Sequence, residues 1–338
     1  MTDSKIQLAQ KHIQNILHYC FEHSDAHQAL VVADHRCPLA KILDEAYRAN
    51  LPKAKHINFD ETSPDEVLKL LDQMQAKDLV VLIQSTSFRL NEFRIRVELF
   101  KKQIKVIEHP HLFRMSNDHQ VQTYVESLAY DPKYYRGVGL KLKEKIDQAS
   151  SAVIDSDGEQ LIYSSPFEST KLNIGDYTGM VNVGGQFPIG EVFTEPKDLE
   201  AVNGRVRIFI FGDTSFCVNK PKTPITLVIE KGRVTGVENS TPEFDEVIAK
   251  IKERDGEVWI RELGFGMNRA FSADNLVDDI GTYERMCGTH MSLGTKHTIY
   301  KKPNFKQRDN GFHVDVFPIT HKVLLDQETI YQDGAWTV

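Results

Sequence analysis

The sequence predicts an α/β protein in two parts: an N-terminal three-layer α/β domain built on a parallel sheet, then a β-rich α+β metal-binding domain. Three observations carry that expectation. Apolar strand-like runs alternate with helical periodicity through the first half of the chain. Beyond residue 156, glycines and short β-type runs become frequent. The acids and imidazoles set in apolar surroundings gather in this second part. A chain of 338 residues is long enough for two ordinary cores, and a boundary at 160 divides it into domains 1–160 and 161–338.

The elements follow in order. Ile6, Leu8, Ile13, Ile16 and Leu17 recur at helical spacing within 3–22. ALVVAD at 29–34 reads as a buried strand, and Pro38 opens a helix through Tyr47. HINF at 56–59 is a short strand. Ser63 then caps a helix that begins at Pro64. DLVVLIQS is a strand, NEFRIRVELFKK a helix and IKVIEH a strand, and a helix follows over 133–147. In the second part QLIYSS, KLNIGDY, GRVRIFIFGD and ITLVIEKGRVTGVE read as strands. Asp157-Gly158 and Lys231-Gly232 mark turns between antiparallel partners. A helix over 242–254 starts after Thr241, and WIRELGFGMN enters an apolar strand with Glu262 in its middle.

The bulk numbers narrow the function. Net charge is −7 and the isoelectric point is near 6.0, which argues against nucleic-acid binding, since that needs a basic face. Lys101, Lys102 and Lys105 are spread over a helix and a strand start and read as solvated surface. MTDSKIQLAQ is too polar for a signal peptide, and no apolar run approaches membrane-spanning length. Cys20, Cys37, Cys217 and Cys287 are scattered, without a paired ligand motif or a disulfide framework. A cytoplasmic location is expected.

In the first half, ALVVADHRCPLA contains no glycine, so no phosphate-binding loop follows that strand. Polar residues do cluster at two later strand ends. Gln84, Ser85, Thr86 and Ser87 precede Arg89, Arg94 and Arg96, and Glu108, His109, Pro110 and His111 end the next strand. They read as capping and surface charge, or as a source of an arginine or histidine that reaches across to a site in the second half, where an arginine would suit a substrate carboxylate.

The second half poses a sharper question. Glu191 lies in GGQFPIGEVFTEP, Glu262 in IRELGFGMN, His290 and His297 in CGTHMSLGTKHTIY, and His313 and Asp315 in FHVDVF. Residues two apart in a strand share a face, so His313 and Asp315 would stand side by side. Each group alone reads as a hydrogen-bonded core residue or a solvated acid. Together these buried polar groups need separate partners, unless a cation satisfies them jointly. Such a set can hold two divalent metals in nitrogen and oxygen coordination with a water between them. One glutamate can bridge the metals and the other can take a proton from metal-bound water.

Four segments resemble the aminopeptidase T family of thermophilic metallopeptidases. The Gly-Glu-Val-Phe-Thr run places Glu191 on the family's first ligand. RELGFGMN places Glu262 on the second, GTHMSLG places His290 on the third, and FHVDVF places His313 and Asp315 on the last pair. The match covers mainly 180–320. It implies a metallohydrolase with two zinc, cobalt or manganese ions, acting on a small peptide or small-molecule substrate as a possible homodimer. The family carries a tyrosine where this chain has His297. A histidine there implies either a neutral donor to the reacting group or an extra ligand. The chain is also shorter than those peptidases, and closer in size to 2,5-dihydroxypyridine 5,6-dioxygenase, a relative that uses the scaffold differently. That relative holds one Fe(II), and Glu262, His313 and Asp315 would match its glutamate, histidine and aspartate. A divergent binding protein without activity is the remaining reading.

Overall fold

The computed structural model describes residues 2–88, 95–297, 299–302, 305 and 310–338. Two compact units emerge, and neither is continuous in sequence. The first comprises Met1–Pro132, Gly175–Ile189 and Asn275–Asp278; the second comprises Lys133–Ile174, Gly190–Asp274 and Asp279–Val338. The single boundary read at 160 falls inside the second unit, because the helix at 132–148 and the hairpin after it group with the β-rich part.

The first unit contains strands β1 (Ala29–Ala33), β2 (Lys55–Asn58), β3 (Leu79–Ile83) and β4 (Lys105–His109), with helices α1 (Thr2–Asn15), α2 (Pro38–Asn50), α3 (Pro64–Gln73), α4 (Ile95–Lys101) and α5 (Asp118–Ser127). All strand pairings in this sheet are parallel. Alternation sends Leu30, Val32, Val80, Leu82 and Val106 to one face, where they form a core with Val67 and Leu71 of α3 and Ile95 and Leu99 of α4. Val31, Val81 and Ile107 face the other way and are equally buried. A parallel sheet covered on both faces needs such continuous apolar strands. Ser63 caps α3 by accepting from Glu66 N at 3.3 Å. Helix α5 was not read from the sequence, although Asn117 caps it by accepting from Gln120 N at 2.9 Å.

In the second unit, β5 (Ala152–Ser156), β6 (Glu159–Tyr163) and β7 (Lys171–Asn173) follow α6 (Pro132–Gln148). The chain then visits the first unit, where β8 (Gly184–Gln186) adds beside β4 to give the order β2-β1-β3-β4-β8. It returns as β9 (Glu191–Thr194), β10 (Val202–Gly212), β11 (Val218–Asn219), β12 (Ile225–Glu230), β13 (Arg233–Glu238), helix α7 (Pro242–Asp255) and β14 (Ile260–Gly266). Helix α8 (Ile280–Tyr283), β15 (Gly288–Leu293), β16 (Val314–Pro318), β17 (Lys322–Leu325), β18 (Glu328–Gln332) and β19 (Ala335–Trp336) complete it. These strands form one antiparallel sheet ordered β19-β18-β17-β5-β6-β10-β16-β15-β14-β9-β7, with β11, β12 and β13 branching from β10. The turns at Asp157-Gly158 and Lys231-Gly232 place both residues at positive φ, the backbone a two-residue hairpin of this twist requires. Among the described residues, no helix is long and apolar enough to cross a membrane.

Candidate metal centre

Four adjacent strands, β16-β15-β14-β9, bring the candidate ligands to one face. His290 of β15 stands opposite Gly264 of β14, Glu191 of β9 stands opposite Gly266, and Asp315 of β16 stands opposite Ser292. Directly opposed residues share a face, as do residues two apart along a strand. The ladder between β14 and β15 shifts register between Ile260 and Leu263. There Glu262 N donates to Ser292 Oγ at 3.0 Å. The glycines of IRELGFG keep the face clear. A Cβ on Gly264 would lie 2.1 Å from His290 Cε1 and Nε2, and one on Gly266 would lie 1.9 Å from the Met286 carbonyl oxygen.

His290 Nε2 sits 3.2 Å from Glu191 Oε1 and 3.5 Å from Glu262 Oε1. Glu262 uses its other oxygen, Oε2, to accept from His297 Nε2 at 2.8 Å. His313 Nε2 lies 3.1 Å from Asp315 Oδ1, and its Nδ1 meets the Lys296 carbonyl oxygen at 3.1 Å. Glu191, Glu262, His290, His297 and Asp315 are all buried. Burial, the largest influence on Glu262, pushes its carboxyl upward, but His290 and His297 outweigh it and hold the group well below the usual carboxylate range. Burial disfavours charge on His290 as well, yet Glu191 and Glu262 push its imidazole up to about 10. His313 is pushed up to about 9 because Asp315 and Glu262 overcome its burial. The carboxylates thus recruit positive charge to the site.

One donor atom from each of Glu191, Glu262 and His290 lies within 4.8 Å of the other two, the one such group of three among the described residues. Although His290 Nε2 is close to both carboxylates, it has no aligned hydrogen bond, and neither does Asp315 Oδ1. Buried polar atoms that crowd without bonding lack a partner, and nitrogen with carboxylate oxygen is the donor set of borderline divalent metals. The donors fit such an ion. His313 fits the same pattern, since an imidazole bonded through one nitrogen to a backbone carbonyl presents the other to a metal. His313 and Asp315 stand together but outside the three-residue group.

His297 is placed by loop rather than strand backbone. Its ring stacks on Tyr300 at 5.2 Å and lies 6.0 Å from the His313 ring. Its bond to Glu262 makes it a neighbour of a candidate ligand. Several contributors were missed in the sequence. Arg285, buried, brings Nη2 to 3.8 Å from Glu191 Oε2. Asp255, at the end of α7, accepts through Oδ2 from Thr295 N at 2.8 Å and Phe312 N at 3.3 Å. Arg261 is fully buried; it pairs with Glu195 and donates to the Thr295 carbonyl oxygen at 2.9 Å. Asp255 and Arg261 follow helical or strand residues of ordinary appearance, and only long-range pairing reveals their work.

The polar strand ends of the first unit are engaged within it. Arg96 donates to Glu108 at 2.6 Å, Ser87 meets His111 at 2.7 Å, and Ser85 N donates to buried Asp34 at 2.8 Å. His109, fully buried, lies 2.9 Å from the hydroxyls of both Tyr47 and Tyr124. Arg89 and Arg94 lie outside the described residues.

By sequence the chain matches no protein-family profile and no curated protein. Its fold matches solved structures. One is 2,5-dihydroxypyridine dioxygenase from Pseudomonas putida KT2440, with a TM-score of 0.64 and 14% identity over 100% of this chain and 98% of that one. Another is wild-type AmpT, an aminopeptidase T, from Thermus thermophilus, with a TM-score of 0.63 and 13% identity over 98% of this chain and 99% of that one. Both proteins resembled in the motif segments therefore share their fold with this mixed α/β chain along its length.

Proposed function

We propose that the chain is a metal-dependent hydrolase of the aminopeptidase type, cleaving an N-terminal peptide bond or a small amide. The observation that carries this reading is the close grouping of Glu191, Glu262 and His290. It contains two residues, Glu191 and His290, that a single iron held by Glu262, His313 and Asp315 would not use. Glu191, Glu262, His290, His313 and Asp315 would together hold divalent ions such as zinc, cobalt or manganese. When bound, such a metal polarises a carbonyl and supplies water of lowered pKa.

The chain's own groups divide the remaining work. Glu262 accepts from His297 through Oε2 and holds Oε1 3.5 Å from the unbonded His290 Nε2, as suits an ionised ligand. Glu191 has one oxygen near His290 and the other 3.8 Å from Arg285 Nη2; it serves either as a ligand or as the proton acceptor, and its glutamine variant separates the two roles. His297, at the position where the peptidases carry tyrosine, steadies Glu262 through Nε2; a neutral imidazole has one N–H, so donating to the reacting group would mean giving up that bond. Its substitution by tyrosine would test that role without removing a donor.

Paired measurements of metal content and hydrolysis of a leucyl arylamide test the reading. Zinc near two per chain with hydrolysis supports it. Glu262→Ala should lose metal and rate together; Glu191→Gln should keep most metal and lose about 10²–10⁴-fold in rate if Glu191 is the proton acceptor, and should lose metal along with rate if it is a ligand. Iron near one per chain, with oxygen uptake on a dihydroxylated ring, would establish the alternative that the likeness to the dioxygenase keeps open. Full metal and rate in both variants would overturn the assignment of this site.

A further inference from the structure

A cavity of about 700 Å³ opens in the second unit, lined by none of the six candidate site residues. Its size is that of a small-molecule pocket. Phe209, Phe271 and Met286 give it apolar walls, and Lys220, Lys222 and Arg269 give it charge. No aspartate or glutamate lines it, although the chain carries 48 acids against 41 bases. An acidic chain that gathers only cations around a cavity has set a local field opposite to its net charge.

Two of those cations are held in place. The Arg269 guanidinium stacks over the Tyr134 ring at 4.0 Å. Stacking uses the face of the fork and leaves its N–H edge available for a planar anion. Lys220 donates to the Ala273 carbonyl oxygen at 2.6 Å, and the side chain of the next residue, exposed Asp274, lies 3.9 Å from it. Lys222 and Arg269 make no ion pair among the described residues. Cys287 also lines the cavity, and burial pushes its thiol up to about 11. It therefore stays neutral near pH 7 and adds no negative charge to the lining.

We propose that this cavity binds a small organic anion with an apolar body, its carboxylate or phosphate on Arg269 and Lys222 and its body against Phe209, Phe271 and Met286. The site is independent of the metal centre, so neither reading depends on the other. Ligand-observed NMR titration with phenylacetate, and with phenylacetamide as the neutral isostere, tests it on the full chain. Saturable phenylacetate binding is expected, at least ten-fold tighter than that of the amide. Arg269→Glu and Lys222→Glu, both at exposed positions, should each weaken it at least ten-fold while metal content stays at the wild-type value. Octanoate and 1-naphthoate, tested alongside, allow for a different apolar body. Equal binding of acid and amide, binding indifferent to both charge reversals, or no saturable binding of any of the three acids would overturn the proposal.

Discussion

At the scale of the residue, Gly264 separates the demands of the site from those of the fold. The His290 ring occupies the volume a side chain at 264 would need. The clash falls on the far end of the imidazole, which can swing, and not on backbone. Gly264→Ala should therefore cost less than about 2 kcal/mol in stability, at the mild end of overpacking effects. It should weaken divalent-metal binding at least ten-fold by displacing the His290 nitrogen. Urea unfolding and calorimetric metal titration of the same sample read the two effects, and unchanged affinity would show that His290 does not bind. The glycine spacing around Glu262 was visible in the sequence. Its meaning was not, because the ring above Gly264 belongs to another strand.

At the scale of the element, the segment between β15 and β16 carries His297 and His313, and buried charge anchors it at both ends. Asp255 accepts from Thr295 N and Phe312 N, Lys296 N donates to the Phe312 carbonyl oxygen at 3.0 Å, and Arg261 holds the Thr295 carbonyl. Asp255→Ala would leave two N–H groups without their acceptor, at a cost of about 1–3 kcal/mol each. It should also weaken metal binding about 10–100-fold, as loss of a group supporting a ligand does. Asp255→Asn keeps an acceptor oxygen and should restore most of both losses. A stability loss without an affinity loss would make the clamp purely structural.

Helix α2 offers a second test at this scale. Its buried Asp44 accepts from His35 at 2.9 Å, His56 at 3.1 Å and Arg48 at 3.0 Å. Burial pushes its carboxyl upward, but His56, His35 and Arg48 together bring it down to about 2 from an ordinary 3.8. A depressed folded-state value means stability that is fully present above about pH 4 and lost as pH falls toward 2. The contribution is about 2 kcal/mol, because a tenfold change in proton affinity is worth about 1.4 kcal/mol. Asp44→Asn should flatten the fall in unfolding free energy between pH 5 and pH 2.5. A slope equal to that of the wild type would remove Asp44 as its cause.

These elements show what local pattern can carry. The strands β1, β3 and β4 and the capped helix α3 were legible because buried apolar runs and Ser-Pro starts are local signals. Strand β8 is three residues of Gly-Gly-Gln, with no apolar pattern, and it is strand only because β4 pairs with it. Asp255 reads as the charged end of an amphipathic helix until Thr295 and Phe312 close on it.

At the scale of the whole molecule, the chain leaves its second unit at 175 and re-enters at 190, so a composition change along the sequence could not locate the division. The shift near 156 marked where β structure begins, while α6, helical and polar in pattern, joins the β-rich unit. The grouping of the candidate residues was more legible than the division. Glu191, Glu262, His290, His313 and Asp315 each stood out as a polar group in an apolar or glycine-rich strand, and four neighbouring strands of one sheet now carry or flank them.

The proposed function stands on this sheet face being a metal centre built on Glu191, Glu262 and His290. Anomalous diffraction from crystals grown with zinc, recorded on both sides of the zinc edge, tests it most directly. An anomalous peak is expected within about 2.0–2.2 Å of a carboxylate oxygen of Glu191 or Glu262 and of His290 Nε2, with His313 and Asp315 completing the coordination or holding a second peak. A zinc peak held by Glu262, His313 and Asp315 alone, or no peak on this face at saturating zinc, would contradict it.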